Sequence, residues 1–215
     1  MISRDWDNIR SELLFMAAED LRVRSELAAG GSLFQGYHPR MRAIHDAHAQ
    51  RLGRILDALG WPGMSQVGHE AAEAAWLIVQ HAIAQPAFQR RALELLRAAV
   101  QRGDAASLKA AMLEDRIRTL EGRLQRYGTQ FDWDAAGQLS PLPIEDPAGV
   151  DARRREIGLR QLEETARNLR AAAEREGERA PENWTARQQA REAWCHEVGW
   201  RSQHAGTRSF QSGGT

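Results

Sequence analysis

Apolar side chains return every three or four positions between residues 5 and 28, at Trp6, Ile9, Leu13, Leu14, Met16 and Leu21. That spacing keeps them on one side of a 3.6-residue turn and predicts an amphipathic helix ending at Gly30-Gly31. After a short loop, SLFQGYHP, the stripe resumes over 39–59 with Met41, His45, His48, Leu52, Ile55, Leu56 and Leu59. Gly60-Trp61-Pro62-Gly63 stops that helix, because proline cannot continue it. Residues 67–83 form a third helix, apolar on nearly every side from Ala71 to Val79 except at Glu73, and therefore central and buried. Pro86 opens a fourth helix to about 102, with Phe88, Leu93, Leu95, Leu96 and Val100 inward. A fifth spans 105–120, with Leu108, Met112, Leu113, Ile117 and Leu120 inward.

The period then changes. Thr129 to Trp133 alternates polar and apolar, Asp134 to Gly137 is a turn, and Leu139 to Ile144 is a return strand despite two prolines. One or two helices follow over 147–176. The stretch 174–182 is charged and broken by Gly and Pro, which marks a linker. Residues 183–198 read as a terminal helix bearing Trp184, Trp194 and Val198, followed by a polar tail. The expected fold is mainly α: a bundle-like domain over 1–176 with one small β-hairpin near 129–144, then linker, helix and tail over 177–215.

Composition narrows the function classes. The 215 residues carry a formal net charge of zero, so no global field draws the chain to nucleic acid or an anionic membrane. No run approaches the roughly 20 apolar residues that span a bilayer, and the N-terminus has no signal-like apolar stretch. A single cysteine, Cys195, excludes an intrachain disulfide and fits a reducing, cytoplasmic setting. All but Lys109 of the 29 Lys and Arg residues are arginine, so most ion pairs here can be bidentate.

Several polar residues occupy core-like positions. His45 and His48 share the inward face of the second helix at i, i+3, as metal ligands or an acid–base histidine and its helper would, or as hydrogen-bonded core histidines. Gln80 and His81 close a helix that is otherwise apolar; they need partners, since an unpaired buried group costs roughly 1–3 kcal/mol, or they cap its end. On the fifth helix, Asp115 is read as the carboxylate that orients a histidine, and Arg116 as the holder of a carboxylate or phosphate. Their bland alternative is a surface ion pair. The string Gln125-Arg126-Tyr127-Gly128-Thr129-Gln130 packs binding groups into one loop, or is a well-bonded turn. Asp20 and Arg24, at i, i+4, can pair along the first helix. Phosphate-cradling glycine loops, the G-x-S-x-G elbow, H-E-x-x-H and zinc-finger spacings are absent from the sequence.

Together Gly60-Trp61-Pro62, Ala74-Ala75-Trp76-Leu77-Ile78-Val79-Gln80-His81-Ala82, Asp115-Arg116 and Gln125 to Gln130 resemble a bacterial family of unknown function, domain of unknown function 6624. Pro143-Ile144-Glu145-Asp146-Pro147, Gly158-Leu159, Asp20 and Arg24 fit the same pattern, over roughly residues 10–165. His48 stands where similar proteins carry asparagine, which weighs against a His45/His48 metal pair. The resemblance implies no activity and no cofactor.

The leading expectation is an enzyme-like pocket for a small polar substrate or peptide, working by hydrolysis or group transfer. His81, His45 and Asp115 would supply acid–base chemistry. Arg116, Gln80, Gln125, Tyr127, Thr129 and Gln130 would bind substrate. The alternatives are a binding module that docks a protein partner through the 183–198 helix, and a metalloprotein using His45, His48 and His81.

Overall fold

The structure of the chain, a computed structural model, describes residues 2–31 and 36–202, with side chains from Trp6 onward. Part of the expected loop (32–35) and the tail from 203 lie outside the described residues. Five helices come first: α1 (Ile2–Ala29), α2 (Pro39–Leu59), α3 (Met64–His81), α4 (Pro86–Gln101) and α5 (Ser107–Leu120). A two-stranded hairpin, β1 (Phe131–Trp133) and β2 (Leu139–Pro141), separates them from α6 (Val150–Glu156), α7 (Leu162–Glu176) and α8 (Trp184–Glu197). The fold is mainly α with one small hairpin, as the periodicity predicts.

Helix α3 is central. It packs against α1, α2, α4 and α5, and Ala71, Ala75 and Val79 are fully enclosed. Its small residues let the neighbouring helices approach, and one cluster gathers Leu13 of α1, Leu52 of α2, Leu96 of α4 and Leu113 of α5 around it. Gly68 bends the first turn of α3 with φ at +77°, a conformation L side chains rarely adopt. On α1 the buried stripe is Ile9, Leu13, Met16, Asp20, Val23 and Leu27. Leu21 and Leu59, both expected inside, are instead exposed. The alternating spacing of four and three runs through Asp20, and Leu21 falls one residue off it.

In the hairpin, Phe131, Asp132 and Trp133 face Pro141, Ser140 and Leu139 in antiparallel register. The return strand stops at Pro141, short of the expected Ile144. Pro141 and Pro143 have no N–H to extend a ladder. Ile144 instead forms an isolated parallel bridge with Gln125.

Helix α8 is fastened to the body of the protein. Cys195 and Trp200 join the main core, and Trp200 donates its indole N–H to the Ile83 carbonyl at 2.6 Å. Trp184 donates to the Trp133 carbonyl at 2.8 Å, and Arg187 pairs with Asp132 at 2.7 Å. Trp184 and Trp194, the tryptophans that recommend this helix as a docking element, therefore have partners within the chain, Trp194 packing against the main core. Replacing Trp200 by Ala should cost about 3–5 kcal/mol in urea denaturation, the usual range for a buried aromatic. A cost below about 0.5 kcal/mol would mean that α8 does not support the core.

Candidate functional site

Three helices each send one ionisable side chain to the same place. Asp20 projects from α1, His45 from α2 and His81 from the last turn of α3. Their ligand-type atoms all lie within 4.8 Å of one another. Asp20 Oδ2 is 2.6 Å from His81 Nδ1 and 3.3 Å from His45 Nε2, and the two imidazole centroids are 5.2 Å apart. The carboxylate is only 1 % exposed. His81 is the opening to solvent, with its side chain 22 % exposed.

The electrostatics follow from burial. Desolvation pushes the Asp20 carboxyl up, but hydrogen bonds from His45 and His81 and their charge outweigh it and hold the group well below the usual carboxylate range. Asp20 is thus an anion in the protein interior, facing imidazoles instead of Arg or Lys. Its Oδ1 has no hydrogen-bond partner, and His45 Nε2 has only the long contact to Oδ2. Buried polar atoms in native proteins are nearly always paired, so this end of the carboxylate stands out.

Around this cluster lies a supporting layer. Tyr37 is 2.8 Å through its hydroxyl from His45 Nδ1, and burial pushes its pKa up, so that it stays a neutral phenol. Trp194 of α8 meets the Tyr37 ring edge-on at 5.9 Å. His48, expected beside His45, turns instead to Glu19 at 3.0 Å. The third group in the cluster is therefore Asp20 and not His48.

Asp115 meets no histidine among the described residues. Its Oδ1 accepts from the Arg126 N–H at 2.7 Å, and its Oδ2 from the Thr129 N–H and hydroxyl, both at 3.0 Å. The Tyr127 N–H reaches both oxygens. Asp115 thus ties down the 125–130 loop, and the carboxylate that meets the histidines is Asp20. Gln125 does similar work: it accepts from the Gln130 N–H at 2.9 Å and donates to the Leu142 carbonyl at 2.5 Å. Arg154, only 1 % exposed, donates to the carbonyls of Tyr127 and Gly128 at 2.7 and 3.1 Å. Gly128, at φ +65°, has no room for a Cβ beside Leu162.

This loop delivers Gln130 to Arg116. The Gln130 Oε1 accepts from Arg116 Nε at 3.3 Å, and Arg116 Nη1 donates to the Gln80 carbonyl at 2.6 Å. Gln89 bonds the Val79 carbonyl at 2.6 Å, so the open end of α3 is capped by two side chains from other helices. His81, Gln80, Arg116, Gln130 and Thr129 therefore form one connected group, while Gln125, Tyr127 and Asp115 hold the loop from behind. A cleft of about 370 Å³ between the hairpin and α7, lined by Trp133, Leu139, Arg170 and Glu174, contains none of the histidines.

Two members were missed by the sequence reading. Asp20 was legible as an acid on the inward stripe of α1, yet its i, i+4 spacing to Arg24 suggested a helix-surface pair. Arg24 is exposed and makes no ion pair among the described residues. Tyr37 sits in a loop with no periodicity, so nothing marked it. Replacing Asp115 by Asn should destabilise the fold by about 2–3 kcal/mol, since an amide cannot accept all these donors. Amide exchange at Arg126, Tyr127 and Thr129 should rise with it, and unchanged protection would show that Asp115 does not hold the loop.

No curated protein and no solved structure matched the chain. A family of unknown function, DUF6624, matches residues 7–175, a span that contains Asp20, His45, His81 and Asp115 to Gln130 but ends before α8. The chain belongs to this family of unknown function, DUF6624.

Proposed function

We propose that the chain is a cytoplasmic enzyme that holds a divalent transition metal between Asp20, His45 and His81 and performs hydrolysis or group transfer on a small polar substrate. The observation that carries this reading is the convergence of two imidazoles and one carboxylate, from three separate helices, within 4.8 Å. Two nitrogens and one carboxylate suit zinc or a divalent iron-like ion, with coordination positions left open for water or substrate. Asp20 Oδ1 is a buried lone-pair atom without a partner, and His45 Nε2 has only the long contact to Oδ2; a cation between the side chains would engage both.

The supporting layer fits the same chemistry. For His45 Nε2 to act as a ligand, its proton sits on Nδ1, where the Tyr37 oxygen accepts it. His81 would hold such an ion through Nδ1 as the neutral imidazole protonated on Nε2, its Nδ1 proton passing to solvent. An ion held here would supply a Lewis acid and a water acidified toward neutral pH. The partial exposure of His81 gives substrate an approach.

A second reading rests on the 2.6 Å Asp20–His81 contact. Without metal, Asp20 accepts the His81 Nδ1–H and leaves Nε2 as a general base toward solvent. Metal content separates the two. Protein purified without chelator should carry about one equivalent of a divalent transition metal per chain. Asp20→Asn and His81→Ala should each lower that content at least about tenfold, and His48→Ala should leave it unchanged. A protein free of metal, whose stability does not respond to added zinc, manganese or iron(II), would overturn the metal reading in favour of the acid–base pair.

A further inference from the structure

Arg116 is a largely enclosed cation without a counter-ion among the described residues. Among the described residues no carboxylate pairs with it, and Asp115, its neighbour in sequence, turns its oxygens into the 126–129 loop. Two hydrogen bonds engage the guanidinium, Nη1 to the Gln80 carbonyl at 2.6 Å and Nε to Gln130 at 3.3 Å. Nη2 makes none among the described residues. The other enclosed arginine, Arg154, offers a contrast. Its Nε, Nη1 and Nη2 are all bonded, to Arg160, Tyr127, Gly128 and Thr165.

Packing alone does not account for the charge at Arg116. A neutral glutamine could donate to the Gln80 carbonyl and meet Gln130 without the desolvation that pulls this guanidinium down to about 10. The dipole at the end of α3 offsets part of that cost, about half an elementary charge. A guanidinium with one nitrogen unused and no counter-ion, held by a braced loop, is the arrangement that takes an oxyanion.

We propose that Arg116 anchors the anionic end, carboxylate or phosphate, of the substrate handled at Asp20, His45 and His81. This deepens the metal-enzyme reading and rests on it for the word substrate, though the anion site itself does not. Arg116 bonds the carbonyl of the residue before His81, so the guanidinium lies within roughly 10 Å of the His81 ring. The substrate class is a small organic acid or phosphate ester whose reacting bond lies a few bonds from the charge.

The test is a calorimetric titration of the full chain, chelator-treated and zinc-loaded in parallel, with inorganic phosphate and with acetate as probes. One of the two anions should bind the wild type, in the chelator-treated protein as well, and which one binds identifies the headgroup. Arg116→Gln should weaken that binding at least about tenfold, the loss of one charge-assisted contact. Arg116→Lys should keep more phosphate than acetate affinity, because lysine offers a point charge without the fork. Because Arg116→Gln can also loosen the fold, the Arg116 Nε–H resonance of the wild type is followed in the same titrations and should shift with saturation. If neither anion binds, or the resonance stays put, or Arg116→Gln binds equally well, the inference falls. Metal binding with no anion binding would overturn this inference alone, and anion binding with no metal would leave it standing while the metal reading fails.

Discussion

The carboxylate of Asp20 is the constraint around which the first three helices are arranged. An ionised carboxylate in a protein interior costs several kcal/mol unless charge or hydrogen bonds compensate it. Here the compensation comes from two imidazoles on two other helices. To keep it, α1, α2 and α3 must hold one register, because a residue's shift on any of them would move its group to another face. The small residues of α3 allow that closeness, and Leu13, Leu52 and Val79 supply apolar burial beside it. Stability and site thus rest on the same three-helix contact.

A second chain of contacts reaches the same place from the other side. Asp115 gathers the backbone donors of 126–129, Arg154 takes the carbonyls of Tyr127 and Gly128, and Gln125 ties the loop to Leu142. The braced loop presents Gln130 to Arg116, and Arg116 holds the carbonyl that precedes His81. The string that reads as a binding loop is thus mostly a brace, with Gln130 as its contact toward Arg116. Helix α8, beyond the part of the chain that the family covers, adds Trp194 against Tyr37.

The elements were legible because their apolar residues repeat with a helical period. Pro86 and the glycines after α1 and α2 marked where helices begin and end. The hairpin was legible from its turn, and its length was not, because missing N–H groups decide where a ladder stops. The site was legible in part. His45 and His81 stood out as polar residues at inward positions, and they do meet. Asp115 stood out for the same reason, but a linear pattern shows that a carboxylate is buried and not which donors it faces. Asp20 was misread because a nearby arginine offered a local partner, and the long-range one lay 61 residues away. Tyr37 gave no signal, since a loop residue is placed by the fold and not by a period.

The account depends on Asp20, His45 and His81 acting together on one ion. X-ray absorption at the metal edge of the purified, metal-loaded chain tests that most directly. The account predicts a first shell of light atoms with the scattering signature of two imidazoles, reduced to one in His45→Ala and unchanged in His48→Ala. A shell without imidazole, or one that His48→Ala alters and His45→Ala does not, would contradict it.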